Sequence, residues 1–169
     1  MSQSDTGYLS TRKETTMNRV QELKQDYNLQ KHIEGGWFCE LYTAPFKADQ
    51  IHKTDQAATT DWIREEESYR DRPLAGSIYF LLDRDDISQL HQLDCDEIWY
   101  YHEGCGMIIT MLRDGKKEEY LLGMNKGQSP MLVIPAGTIF GAENIDKDSY
   151  TFISCMTTPA FRYEGFRLV

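Results

Sequence analysis

The chain has 169 residues, 40% of them hydrophobic and 12% aromatic, enough for one domain that buries its own core. Its 27 acidic against 18 basic residues leave a formal charge of -9, which argues against binding driven by a nucleic-acid backbone. Cys39, Cys95, Cys105 and Cys155 form no CxxC pair, and no apolar leader or long apolar run is present, so the expectation is a reduced, cytoplasmic protein without a membrane partner.

Residues 1–14 are polar and aperiodic and are expected to be disordered, which leaves a single domain over 15–169. From Thr15 to Tyr27, Met17, Val20, Leu23 and Tyr27 recur at helical spacing, predicting an amphipathic helix packed on the outside of something larger. His32-Ile33-Glu34-Gly35-Gly36 reads as a turn or bulge, and the aromatic run that follows to Tyr42 as a strand on which Glu40 is a candidate to face a cavity. The polar stretch 47–71 is long for a connection; Trp62 and Ile63 within it need a cover, which suggests a lid or an interface loop. Ser77–Leu82 is short, apolar and bounded by charged residues, as expected of a central strand buried on both faces.

Further short strands are predicted at Leu90–Leu93, Glu97–His102, Met107–Leu112, Glu118–Leu122, Met131–Ile134, Tyr150–Met156 and Phe166–Val169, with glycine turns and an Asp114-Gly115 hairpin between them. So many short strands beside one clear helix predict an all-β fold, an antiparallel sandwich or barrel of jelly-roll type.

The chemistry concentrates in Ser88–Gly104. If Leu90–Leu93 and Glu97–His102 are antiparallel strands joined by Asp94-Cys95-Asp96, alternation sends His91, Glu97, Trp99 and Tyr101 to one side. An imidazole and a desolvated carboxylate on an apolar face suit general acid–base work, and Tyr101 can donate to a developing enolate oxygen. Arg72 is a candidate clamp for a carboxylate or phosphate, while Glu40, Trp99 and Phe140 are candidates for substrate contact. The set fits isomerisation, epimerisation or dehydration beside a carbonyl, as in a ketose phosphate or keto-sugar. A non-catalytic ligand-binding domain is the alternative, and a metal-dependent lyase or oxygenase a further one. The plainer reading makes His91 and Glu97 a hydrogen-bonded core pair and the aromatics packing.

The residues also resemble a family. His91, Glu97 and Gly104 stand at the spacing of the first cupin motif, HxHxxxE followed by glycine, with Leu93 where the second histidine would be. Pro135, Gly137 and Asn144 match the second motif, PxGxxHxxxN, with Phe140 in place of its histidine. The segments HIEGGWFCELY, RPLAGSIYFLL, HQLDCDEIWYYHEG, LGMNKGQSPMLVIPAGTIFGA and TTPAFRYEGFRLV are similar to the cupin family known as domain of unknown function 985, or cupin 5. The resemblance, over 17–169, implies a double-stranded β-helix jelly roll, a homodimer and a small-molecule pocket related in shape to those of sugar epimerases and isomerases. Against the family pattern, Ile33, Cys39, Tyr100 and Ala160 are departures. Because the two motifs supply only His91 and Glu97 as metal ligands, no cofactor is expected; a divalent metal would need His32, Glu40 or His102 to join them, and His102 has the wrong strand parity.

Overall fold

The computed structural model describes residues 17–47, 71–113 and 115–169. The expected disorder of 1–14, the Trp62-Ile63 segment and Asp114 of the predicted hairpin lie outside the described residues. Helix α1 covers 17–26 and is followed by eleven strands: β1 Gln30–Lys31, β2 Trp37–Thr43, β3 Gly76–Asp83, β4 Ile87–Leu93, β5 Asp96–Gly104, β6 Met107–Arg113, β7 Lys116–Leu122, β8 Met131–Ile134, β9 Ile139–Asn144, β10 Tyr150–Thr158 and β11 Phe166–Leu168. They form two antiparallel sheets, in the orders β1-β2-β3-β10-β5-β8 and β11-β4-β9-β6-β7. The fold is the jelly roll the strand pattern predicts, with an N-terminal helix on one side.

Alternation assigns the core. On β3, Phe80 and Leu82 turn inward to meet Trp99 and Ile153 of their own sheet and Met107, Ile109, Met111 and Phe140 of the opposite one. Leu81, between them, turns outward and is sealed with Phe152 by Val20, Leu23 and Leu29 from the helix and its exit. β3 is therefore buried on both faces, as its unbroken apolar run predicts. Lys24 reaches Asp83 at 2.8 Å and Arg19 reaches Glu103 at 2.9 Å, fixing the helix on the sheet.

Two expectations are corrected. β4 and β5 are consecutive but do not pair: β4 lies between β11 and β9, and β5 between β10 and β8, in different sheets. Asp94-Cys95 is thus a crossing between layers rather than a hairpin turn. Strand β9 lies outside the predicted strands, because its sequence IFGAEN interrupts the apolar pattern with small residues. A Cβ on Gly141 would stand 2.7 Å from the Ser88 carbonyl oxygen, so the gap in the pattern is where β4 comes close.

Candidate functional site

The two sheets part at one end around a cavity of about 100 Å³, where a single water needs roughly 10–15 Å³. Its apolar wall comes from Phe38, Ile78, Phe80, Leu93, Trp99 and Phe161. Its titratable groups include His32, Glu34, His91, Glu97 and Cys155 in the interior and Glu40, an exposed residue, toward the solvent, and hydroxyls come from Tyr42, Thr43, Ser77, Thr157 and Tyr163.

Glu97 enters from β5 in the six-stranded sheet and His91 from β4 in the other, so they face the cavity across the layers. Parity along each strand is as predicted, although the strands are not neighbours. His91 is 2% exposed and Glu97 7%. The His91 ring packs on Phe140, its cross-strand partner, with centroids 4.1 Å apart, and its Nδ1 lies 2.7 Å from the Gln89 carbonyl.

Glu34, which the candidate set omitted, is the group that joins them. It is 7% exposed, accepts a 2.9 Å hydrogen bond on Oε1 from the Ser88 hydroxyl, and brings Oε2 to 3.3 Å from His91 Nε2 and 3.5 Å from His32 Nδ1. The glycines after it make this possible. Gly35 has φ of 111°, and a Cβ there would lie 2.0 Å from the Ile87 carbonyl oxygen, so only glycine lets the 32–36 turn press against β4. The Gln89 N–H donates to the Glu34 carbonyl at 2.8 Å and holds the approach. A carboxylate followed by two glycines was the available signal; it says that a backbone comes close there, though not which side chain profits.

Burial governs the electrostatics. It pushes the Glu34 carboxyl up to about 8, helped by the nearby charge of Glu97 and opposed by the Ser88 hydroxyl. Glu97 is raised to about 7 by the same desolvation, against the pull of the Trp99 indole and the Cys155 thiol. The Trp99 N–H is buried beside this carboxylate without completing a hydrogen bond of good geometry. Burial lowers both imidazoles, His91 to about 4, so both are neutral at neutral pH.

The other candidates fall elsewhere. Trp99 and Glu40 line the cavity. Phe140 stands behind His91 rather than on the wall. Tyr101 lies further along β5, away from the cavity lining, and its hydroxyl donates to the Gly104 carbonyl at 2.8 Å. Arg72 is buried, but its guanidinium is directed at Asp94, 3.0 Å away, and at the Ala160 carbonyl, and it does not reach the cavity wall. It braces the chain and is not placed as an anion clamp. His102 lies on the outer surface, against Tyr79 and Phe152.

The residues at the cupin motif positions do not suit a metal. Leu93 and Phe140 offer carbon where the motifs place histidines, and among the described residues no three His, Cys, Asp or Glu side chains are grouped to hold an ion.

The family profile described as Cupin superfamily (DUF985) matches residues 21–169. The chain belongs to this cupin family. An uncharacterized protein of Saccharomyces cerevisiae, YML079W, is 26% identical over 152 residues, spanning 86% of this cupin and 72% of the yeast chain. Among solved structures, protein SO0799 from Shewanella oneidensis superposes with a TM-score of 0.71 at 28% identity, over 88% of this cupin and 82% of that chain. A hypothetical protein from Leishmania major gives 0.70 at 25% identity, over 86% and 84%. None of these relatives carries an activity in its name.

Proposed function

We propose that this cupin is a metal-independent acid–base enzyme that interconverts isomers or epimers of a small, uncharged, sugar-derived carbonyl compound. The observation that carries the reading is the meeting of Glu97 from one sheet, His91 from the other and Glu34 from the turn between β1 and β2 on one largely apolar cavity. Desolvation brings a carboxylate toward neutrality, where a general base both holds its proton weakly enough to release it and strongly enough to take it. The described lining contains no Lys or Arg, which favours a keto-sugar over a ketose phosphate.

The test is to incubate keto-sugars and ketose phosphates with the protein in deuterium oxide and follow label at the carbon beside the carbonyl. Label should enter with the uncharged compounds, chelator should leave the rate unchanged, and Glu97→Gln should lower it about a hundred- to ten-thousand-fold while the protein stays folded. Undiminished labelling by that variant would remove the base from the account. One observation favours the second reading, a ligand-binding cupin without turnover: Tyr101 stands away from the cavity, so it does not supply the hydroxyl expected at the enolate oxygen. That reading predicts saturable binding and no exchange.

A further inference from the structure

We infer that Glu34 holds the transferable proton of the cavity, on Oε2 between His91 and His32, and is the general acid that works opposite Glu97 as base. The catalytic half of this inference rests on the acid–base reading above; the placement of the proton does not.

The placement follows from hydrogen-bond polarity. His91 Nδ1 has a carbonyl oxygen, that of Gln89, at 2.7 Å, and a carbonyl can only accept, so Nδ1 carries the ring proton. In the neutral ring Nε2 is then a bare lone pair. It faces Glu34 Oε2 at 3.3 Å. His32 Nδ1 accepts the Glu34 backbone N–H at 3.4 Å, so this nitrogen too is a lone pair, and it stands 3.5 Å from the same Oε2. Ser88 satisfies Oε1. An ionised Oε2 would therefore confront two lone pairs with no donor from the protein, on a residue only 7% exposed, whereas a proton on Oε2 turns the same contact into a hydrogen bond.

The cavity lining among the described residues offers no Lys or Arg to hold an ionised Oε2. The titratable groups facing Glu34 are His32 on its own turn, His91 on β4, Glu97 on β5 and the Cys155 thiol on β10, and none is a cation when the imidazoles are neutral. Burial favours the uncharged form of each.

The step this permits is balanced. Glu97 takes the proton from the carbon beside the substrate carbonyl, the C–H electrons become the enol double bond, and the carbonyl oxygen receives the proton of Glu34. Glu97 is left neutral and Glu34 anionic. Facing two lone pairs, the Glu34 anion then takes the proton of the neighbouring hydroxyl, which becomes the new carbonyl, as Glu97 returns its own proton to the former carbonyl carbon on the face it took it from. His91 and His32 are positioning residues: they fix where the proton sits and do not give it up.

Nitrogen-15 NMR of the wild-type protein at pH 7 tests the placement without a substitution. His91 should appear as the neutral Nδ1–H tautomer and His32 as the neutral Nε2–H tautomer. Infrared difference spectra should show a protonated-carboxyl carbonyl band at the same pH that is lost in Glu34→Gln. An imidazolium at His91, or no band lost in that variant, overturns the inference. Glu34→Gln keeps an N–H donor for His91 and an oxygen for Ser88, so it should fold; its labelling rate should fall on the order of a hundredfold or more while ligand affinity changes little. If the band is present and no carbonyl compound exchanges label even in wild type, the resident acid stands and the enzyme reading falls.

Discussion

On β5 two glutamates six residues apart meet opposite fates. Glu103 lies on the outside of the sheet, held by the Arg19 guanidinium through two bonds of 2.9 and 3.0 Å and by the Tyr150 hydroxyl at 3.0 Å, and these donors draw its pKa below the ordinary carboxylate value. Glu97 lies inside, without a cation, and burial drives it the other way, to about 7. An even separation should give both the same face. The register shifts between Phe152 and Ile153 of β10, where Tyr101 pairs with Ile153 and Glu103 with Phe152, leaving His102 as the extra residue. That bulge turns the end of the strand over. The same residue type thus becomes a surface tether on one side of a strand and a titrating group on the other, and one inserted residue decides which.

The contrast can be broken from the inner side most severely through the backbone. Gly35→Ala would drive a Cβ into the Ile87 carbonyl at a positive φ, and the expected loss is about 3 kcal/mol in denaturant unfolding, together with loss of ligand binding. A variant as stable as wild type would mean that the turn does not press on β4.

A gentler measurement sharpens the comparison through pH. Glu34 and Glu97 have raised folded-state values, so the folded protein keeps protons that the unfolded chain has already released; their stabilising contribution is complete below about 4.5 and is lost as pH rises through 7 and 8. His32 and His91 are lowered, so they add stability as pH rises toward 6.5 and are silent above it. Among the described groups with shifted values, the inner carboxyls are the ones that act from pH 6.5 to 8. Stability should fall there by on the order of 2 kcal/mol, and Glu34→Gln should flatten most of the slope. A flat wild-type profile would contradict the inner half of the contrast.

The outer glutamate should matter least. Arg19 and Glu103 are each more than a third, or about a third, exposed, so Glu103→Gln should cost under about 1 kcal/mol, less in high salt. Its folded-state value is depressed, so the contribution is present above about 4.5 and disappears as pH falls through that lowered value. A cost comparable to that of Gly35→Ala would show the tether to be more than a surface pair.

The sequence displayed the layers better than their connections. Alternation found that His91 of β4 and Glu97 and Trp99 of β5 turn inward, and helical spacing found the apolar face, with Val20 and Leu23, that packs on the outside of the sheet. Parity, however, is the same whether two strands lie side by side or face each other across a core, so His91 and Glu97 could be brought together correctly from a hairpin that does not exist. Arg72 looked available because nothing local shows that Asp94, 22 residues on, and the Ala160 carbonyl, 88 residues on, will claim it. Tyr101 had the right parity but the wrong depth. Glu34 escaped notice because its role comes from a turn, where periodicity is silent and only the glycine pair hints at a close approach.

The crossing at Asp94-Cys95 gives the barrel something like the pivot of a calliper. One jaw carries His91 and the other Glu97, and the gap between them is the cavity. Arg72 and Arg162 both grip Asp94, at 3.0 and 3.2 Å, and the backbone N–H of Asp94 is tied to the Gly165 carbonyl at 3.1 Å. The cation that resembled an anion clamp therefore works as a set screw: it is directed at the crossing and not at the cavity, and it pins the point from which both jaws diverge.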